Sequence, residues 1–469
     1  MKIRTISRSA DDYVPVSNAE SARQPRNLDP DMHPFERARE YTRALNATKL
    51  DRMFAAPFIG QLGQGHVDGV YSLAKSQNML STMASGSGDG VVKVWDLGSQ
   101  EERWQTKAHD GIVRGLCYTP TNQLLSCASD GTVKLWQPYA SKEEQLVQTY
   151  YSSNGGGLVS IDHHRDDSRF VTAGTNLEVW DTERSKPVTS LSWGADNLNS
   201  VRFNQTETSL CASTGNDRSI VIYDLRTSSP VQKMVSALNN NSLTWNPMEA
   251  FVFAAASEDH NVYLYDMRNM KRALNVYQDH VAAVLDVDFS PTGQELVSGG
   301  YDRTIRIFNA REGHSRDVYH TKRMQRVFSV RFSMDNRYVA SGSDDGNVRL
   351  WRARANDRSG IKSAKQRTKQ EYDQALTSRY QHMPEIRRIT HARRVPKAVK
   401  IAKNIKREEI EALKRRHANL VKNSKGRVGF ESEREKHILG VGVQEEPPRK
   451  RKRKGDSKGG QSGAENDDD

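Results

Sequence analysis

Seven times in the chain an aromatic residue closes a short β-branched run: Trp95, Trp136, Trp180, Tyr223, Tyr265, Phe308 and Trp351, at steps of 41, 44, 43, 42, 43 and 43 residues. A period of roughly 40–45 residues with four short strands per unit is that of a β-propeller blade. Seven such units closed into a ring leave few exposed sheet edges. The apolar stretch from Met53 to Leu62 is expected to supply the outer strand of the last blade and fasten the circle. The predicted class is therefore all-β, a seven-bladed propeller over 53–351. An N-terminal arm with a short helix (1–52) precedes it; a basic, mostly α-helical extension (352–440) and a disordered tail with a basic cluster (441–469) follow.

The repeats carry polar residues at fixed spacing. Six residues before the closing aromatic an acid recurs in six of the seven units: Asp89, Asp130, Asp217, Asp259, Asp302 and Asp345. Four residues earlier stands a hydroxyl in five of those six: Ser85, Ser126, Ser213, Ser298 and Ser341. His66, His109 and His280 begin three units. A His on the loop entering the sheet can bond the Ser and the turn Asp, with the indole capping the chain, and buried polar groups persist in a core only when so satisfied. The structural set is thus His66, Ser85, Asp89 and Trp95; His109, Ser126, Asp130 and Trp136; and His280, Ser298 and Asp302. A hydrolase would need one such set beside a nucleophile elbow, and no G-x-S-x-G elbow accompanies the recurring sets between Gly65 and Trp351.

From Gly65 to Trp351 these residues resemble the WD-repeat family, with Trp95-Asp96 and Trp180-Asp181 as literal Trp-Asp pairs and Tyr223-Asp224 and Tyr265-Asp266 as variants. The third unit is short and lacks the turn Asp. Gly194, Ser236 and Arg323 stand where the fourth, fifth and seventh would place His. Those blades should be less rigid.

Charge is segregated along the chain. Residues 352–469 hold 32 Lys+Arg and 17 Asp+Glu, net +15, out of 70 and 58 in the whole chain; residues 1–351 keep 38 and 41, net −3. That asymmetry points to a nucleic-acid or acidic partner for the extension rather than the ring. The three cysteines, Cys117, Cys127 and Cys211, sit in strand-like runs without paired spacing and read as buried thiols of a reducing compartment. Metal-ligand spacing, phosphate-cradling Gly loops, a signal core and long apolar spans are all missing, so no cofactor, metal, small-molecule substrate or membrane contact is expected.

Residues 34–50 look helical, with Pro34 in the first turn and Ala38, Tyr41 and Leu45 on one stripe, as a cap packed against the propeller or as a docking element. After Trp351, helix is expected from Ile361 to Tyr380, ended by Pro384, and again from Lys397 to Leu420. Seven cations, Arg387, Arg388, Arg393, Arg394, Lys397, Lys400 and Lys403, span 17 residues with no acid after Glu385. Counterion release favours phosphate binding by such a run, whereas the absence of interleaved aromatics speaks against base stacking. Arg449, Lys450, Arg451, Lys452, Arg453 and Lys454 form a block that reads as a nuclear import signal.

Stretches outside the repeats are more specific. Ser7 to Pro15, Pro34 to Tyr41, Ser192 to Asn197, Trp245 to Phe251 and His382 to Ile389 resemble the Sof family of nucleolar WD-repeat proteins, over residues 1 to about 440. The resemblance implies a nuclear, nucleolar, non-enzymatic component of the small-subunit processome, the U3-containing particle that matures pre-ribosomal RNA, with a C-terminal domain at roughly 353–440. It also leaves an alternative. Tyr223-Asp224-Leu225-Arg226 and Tyr265-Asp266-Met267-Arg268 look like the Asp-x-Arg motif by which some WD-repeat proteins dock on a cullin-RING ubiquitin ligase adaptor, which would make Asp224, Arg226, Asp266 and Arg268 adaptor contacts.

Overall fold

The computed structural model describes residues 30–141, 144–194, 197–357, 360, 363–424 and 432–443. Seven antiparallel sheets follow one another along the chain, six of four strands and one of five. Central strands such as Thr82–Ser87 are buried on both faces, which is why they read as unbroken small and apolar runs. The outer strand Glu102–Lys107 is largely exposed and correspondingly polar. In six of the seven blades the innermost strand carries a register shift at its second residue, as between Val70 and Ser72 or Val284 and Asp286. Such bulges bend and twist the strand lining the axis. Adjacent blades approach so closely that a Cβ at Gly86 would lie 2.6 Å from the Val113 side chain of the next blade.

Closure is as expected. Phe58–Gln61 is the outer strand of the seventh blade and pairs with Val348–Arg352, setting Phe58 opposite Trp351. Near the axis a second device ties neighbouring blades together. Asp286 in the sixth blade accepts hydrogen bonds from Ser242 Oγ of the fifth (2.8 Å) and from Ser329 Oγ (3.2 Å), the Val330 amide (2.9 Å) and Arg331 Nη1 (2.8 Å) of the seventh. Lys75 of the first blade reaches past the seventh to Asp288, 2.8 Å away.

The polar sets are completed unequally. His109 meets Asp130 at 3.0 Å and Ser126 at 2.8 Å, and the Trp136 indole donates to the same Ser126 at 2.9 Å. His280 bonds Asp302 at 3.0 Å and Ser298 at 2.6 Å, with Phe308 in the indole's place. In the first blade His66 and Trp95 both reach Ser85, at 2.6 and 2.7 Å, but Asp89 bonds the Val91 amide without reaching His66, whose Nδ1 has no hydrogen-bond partner among the described residues. Other blades substitute. Trp180 donates to Thr172 and Trp351 to Ser341, each at 2.9 Å, while Lys233 pairs with Asp217 at 2.8 Å and Arg349 with Asp345. Replacing Asp302 by Ala strands the fully buried His280 Nδ1 and the Thr304 amide and hydroxyl. A loss of about 1–3 kcal/mol in unfolding free energy is expected, read by denaturant titration.

Four helices flank the ring: α1 (Glu36–Met53), α2 (Ala364–Arg379), α3 (Pro384–His391) and α4 (Lys397–Asn423). Helix α1 touches the propeller through Arg52, 3.5 Å from Asp317 of the sixth blade, but its apolar face packs elsewhere. Ala44 of α1 meets Leu376 of α2 and Ile386 of α3, ringed by Tyr41, Leu45, Tyr372 and Tyr380. The buried line of α1 is Glu40, Ala44, Ala47 and Thr48, and Ala38 is exposed. Glu40 can be buried because Tyr380 Oη and Arg379 Nη1 donate to its carboxylate at 3.0 and 3.3 Å. The arm and the extension, far apart in sequence, thus share one small core.

Candidate nucleic-acid interface

Each helix of the extension begins for a local reason. Ser363 caps α2 in a reciprocal capping box with Gln366. Pro384, expected to end that helix, instead opens α3 at its first turn, where a missing N–H costs nothing. Pro396 immediately precedes α4, which outruns its predicted end at Leu420 by three residues.

The seven predicted cations do not share one environment. Arg387 and Arg388 on α3, Arg394 in the connection, and Lys397 and Lys400 in the first turns of α4 are exposed. Arg393 is turned inward, donating to the Thr390 and Ala392 carbonyls. Burial and the neighbouring Arg52 depress its guanidinium below the ordinary value. Lys403 is taken up by Asp279 at 2.9 Å, and one turn later Lys406 donates to the His280 carbonyl at 3.1 Å. These bonds anchor α4 on the loop that enters the sixth blade. His320, between the sixth and seventh blades, bonds the Arg394 carbonyl at 3.1 Å. Spacing identified the cationic run but could not separate free members from those neutralised by a distant loop; Asp279 and Lys406 were missed because their partners lie over a hundred residues away.

Beyond α4 the extension continues around the rim. Gln278 bonds Glu433, the Ala273 amide donates to the Arg434 carbonyl at 3.0 Å, and His437 stacks on Tyr263 (3.7 Å between centroids) while bonding the Tyr265 hydroxyl at 2.7 Å. Ile438–Val443 then adds a fifth strand to the fourth blade, antiparallel to Ser229–Ser236. The expected boundary between domain and tail at residue 440 therefore falls inside a strand. The only local signal was a short apolar run interrupted by Gly440 and Gly442. Burial lowers His437 to about 4, as it does His66. Against an unfolded value near 6.5 the folded chain binds fewer protons, so stability is full above pH 6.5 and declines toward pH 4. His437→Gln should flatten that decline between pH 7 and 5 in denaturant titrations; an unchanged slope would contradict it.

In an antiparallel meander the loops entering blades and the turns bearing the recurring Asp share one face of the ring, and the turns after the third strand lie on the other. The Asp-x-Arg pairs occupy that opposite face. Asp266 holds Arg268 through Nε at 3.1 Å and Nη2 at 2.8 Å, and the guanidinium also covers the Phe251 ring at 4.5 Å. Arg226 is looser, 3.7 Å from Asp224 and 81% exposed. The import block Arg449 to Lys454 lies outside the described residues, as do Ser7 to Pro15. Among the described residues no three or more His, Cys, Asp or Glu could hold a metal, and no helix is long and apolar enough to cross a membrane.

The profile of the Sof1-like domain matches residues 353–438, the segment that carries α2, α3, α4 and His437. Profiles of the WD domain, G-beta repeat, match 58–96, 101–137, 271–309 and 312–352. The chain is 53% identical to Protein SOF1 of Saccharomyces cerevisiae, covering 97% of this chain and 98% of that protein. It belongs to the Sof1 family. Another relative is Protein sof1 of Schizosaccharomyces pombe, 58% identical over 94% of this chain and all of that protein. The DDB1- and CUL4-associated factor 13 of Xenopus laevis is 47% identical over the same shares. This Sof1-family chain thus aligns from ring to extension with relatives bearing two different names.

Proposed function

We propose that the chain is a non-enzymatic, nucleolar assembly factor of the small-subunit processome that binds pre-ribosomal RNA through its extension and U3-particle proteins through its ring. The observation that carries this reading is the exposed group Arg387, Arg388, Arg394, Lys397 and Lys400, which form no ion pair among the described residues of a chain whose basic excess is confined to residues 352–469. Their contacts would be to phosphates, largely independent of base sequence. Membership of the Sof1 family supports the pre-ribosomal assignment, and the block from Arg449 to Lys454 serves nuclear import in this reading. Photocrosslinking of the full chain in cells, followed by sequencing of the adducts, should yield small-subunit precursor RNA joined to residues 387–400. Adducts confined to the ring would refute it.

A second reading rests on the relatives named DDB1- and CUL4-associated factor 13 and on the accessible Arg226 and Arg268. The chain would then be a substrate receptor docking on a ligase adaptor. The motif pairs and the anchored end of α4 lie on opposite faces, so the two roles need not compete. Adaptor binding abolished by Arg226→Ala and Arg268→Ala, with RNA crosslinks retained, would favour this reading.

A further inference from the structure

Helix α4 has two apolar stripes, and the fold covers one. Val399, Ala402, Lys406, Ile410 and His417 are buried or half-buried, on the line through Lys406 that meets the ring. Ala398, Ile401, Ile405 and Ala412 recur at intervals of three, four and seven, and all four are exposed. Ile401 and Ile405 keep 51% and 53% of their surface in solvent. At 3.6 residues per turn this second stripe lies roughly a third of a turn from the first. Leu413 and Leu420, 58% and 54% exposed, extend the apolar surface toward the helix end, where Ala412, Arg415, Arg416, Asn419, Leu420 and Asn423 line a shallow groove.

Scattered exposed aliphatics need no explanation, but a row at helical spacing is the form in which one helix presents anchors to another. Charge selects among possible occupants. Nine Lys and Arg against three Glu, with Lys403 neutralised by Asp279, leave α4 a net +5. A second copy of α4 would set one cationic helix against another, whereas a helix flanked by acids would be steered and held. We infer that this stripe receives an amphipathic helix from a protein partner whose apolar face is bordered by Asp and Glu. Lys400 projects from a different side of α4, so the same helix can hold RNA and protein together.

The test uses the full chain and two synthetic helical peptides sharing one Leu stripe, flanked by Glu in the first and Lys in the second. The Glu peptide should bind with an affinity that falls with salt. Binding should be at least about tenfold weaker for the Lys peptide, and at least about tenfold weaker when the chain carries Ile401→Ser and Ile405→Ser. Both changes are at exposed positions and leave every cation in place, so ribosomal RNA binding should be unaltered. Equal binding of the two peptides, or indifference to the double substitution, would overturn the inference. So would loss of RNA binding in the double variant, or a dimer of the native chain that the substitutions dissolve. Failure of the RNA reading would show separately, as absent RNA binding by a chain that still takes the Glu peptide.

Discussion

Reversing Arg387, Arg388, Arg394, Lys397 and Lys400 to Glu in the full chain should weaken ribosomal RNA binding at least about a hundredfold near physiological salt. Every cation removed from a phosphate lowers the log–log salt slope by roughly 0.7–0.9, so the five together remove up to about 4.5 from it. The five are exposed, and the apolar packing that seats α3 and α4, through Ile386 and Val399, is left untouched. Folding should therefore survive, and the unfolding midpoint gives the control. Lys403→Gln supplies a contrast. Because Lys403 is held by Asp279, its removal should loosen α4 on the sixth blade with little change in the salt slope. If the fivefold reversal altered neither slope nor maturation of small-subunit RNA, the extension would be a protein-docking element alone.

Asp286→Ala should cost about 3–5 kcal/mol, the largest effect expected from a single substitution in the ring. Asp286 and Arg331 keep only 7% and 11% of their side-chain surface exposed, so removing the carboxylate leaves a buried cation unpaired. Burial alone would depress the Arg331 guanidinium, yet Asp286 and Asp288 hold it above its ordinary value. The same deletion takes the acceptor from Ser242, Ser329 and the Val330 amide, loosening three blades at once. Denaturant titration measures the effect. Asp286→Ala combined with Arg331→Met should recover part of it, since removing both charges is less costly than leaving one. A single variant as stable as the native chain would show that packing between the fifth, sixth and seventh blades does not depend on the Asp286 network.

The N-terminal arm and the extension are not separable units, because α1 packs against α2 and α3. Ala44, Leu376 and Ile386 form one core, so a piece ending at Trp351 leaves the buried face of α1 uncovered. Cutting within the last described segment would likewise uncover the outer strand Ser229–Ser236.

What the sequence determined by itself is everything governed by short range or by repetition. The aromatic period set the blade count, the apolar stretch at Phe58–Gln61 supplied the closing strand, and the spacing of His, Ser and Asp named the buried sets around His109 and His280. Where a set failed, as at Asp89, the residue two positions on is Val91, which lacks the hydroxyl that Thr132 and Thr304 place on Asp130 and Asp302. Tertiary structure decided which charges are free and which surfaces meet. Asp279 neutralises Lys403 across 124 residues of sequence, Tyr380 and Arg379 make Glu40 tolerable in a core, and His437 finds its aromatic stack on the fifth blade. Each depends on a partner brought near by ring closure, and such a pairing leaves no periodic trace in the chain, because one acid or one imidazole at a distant position suffices to make it.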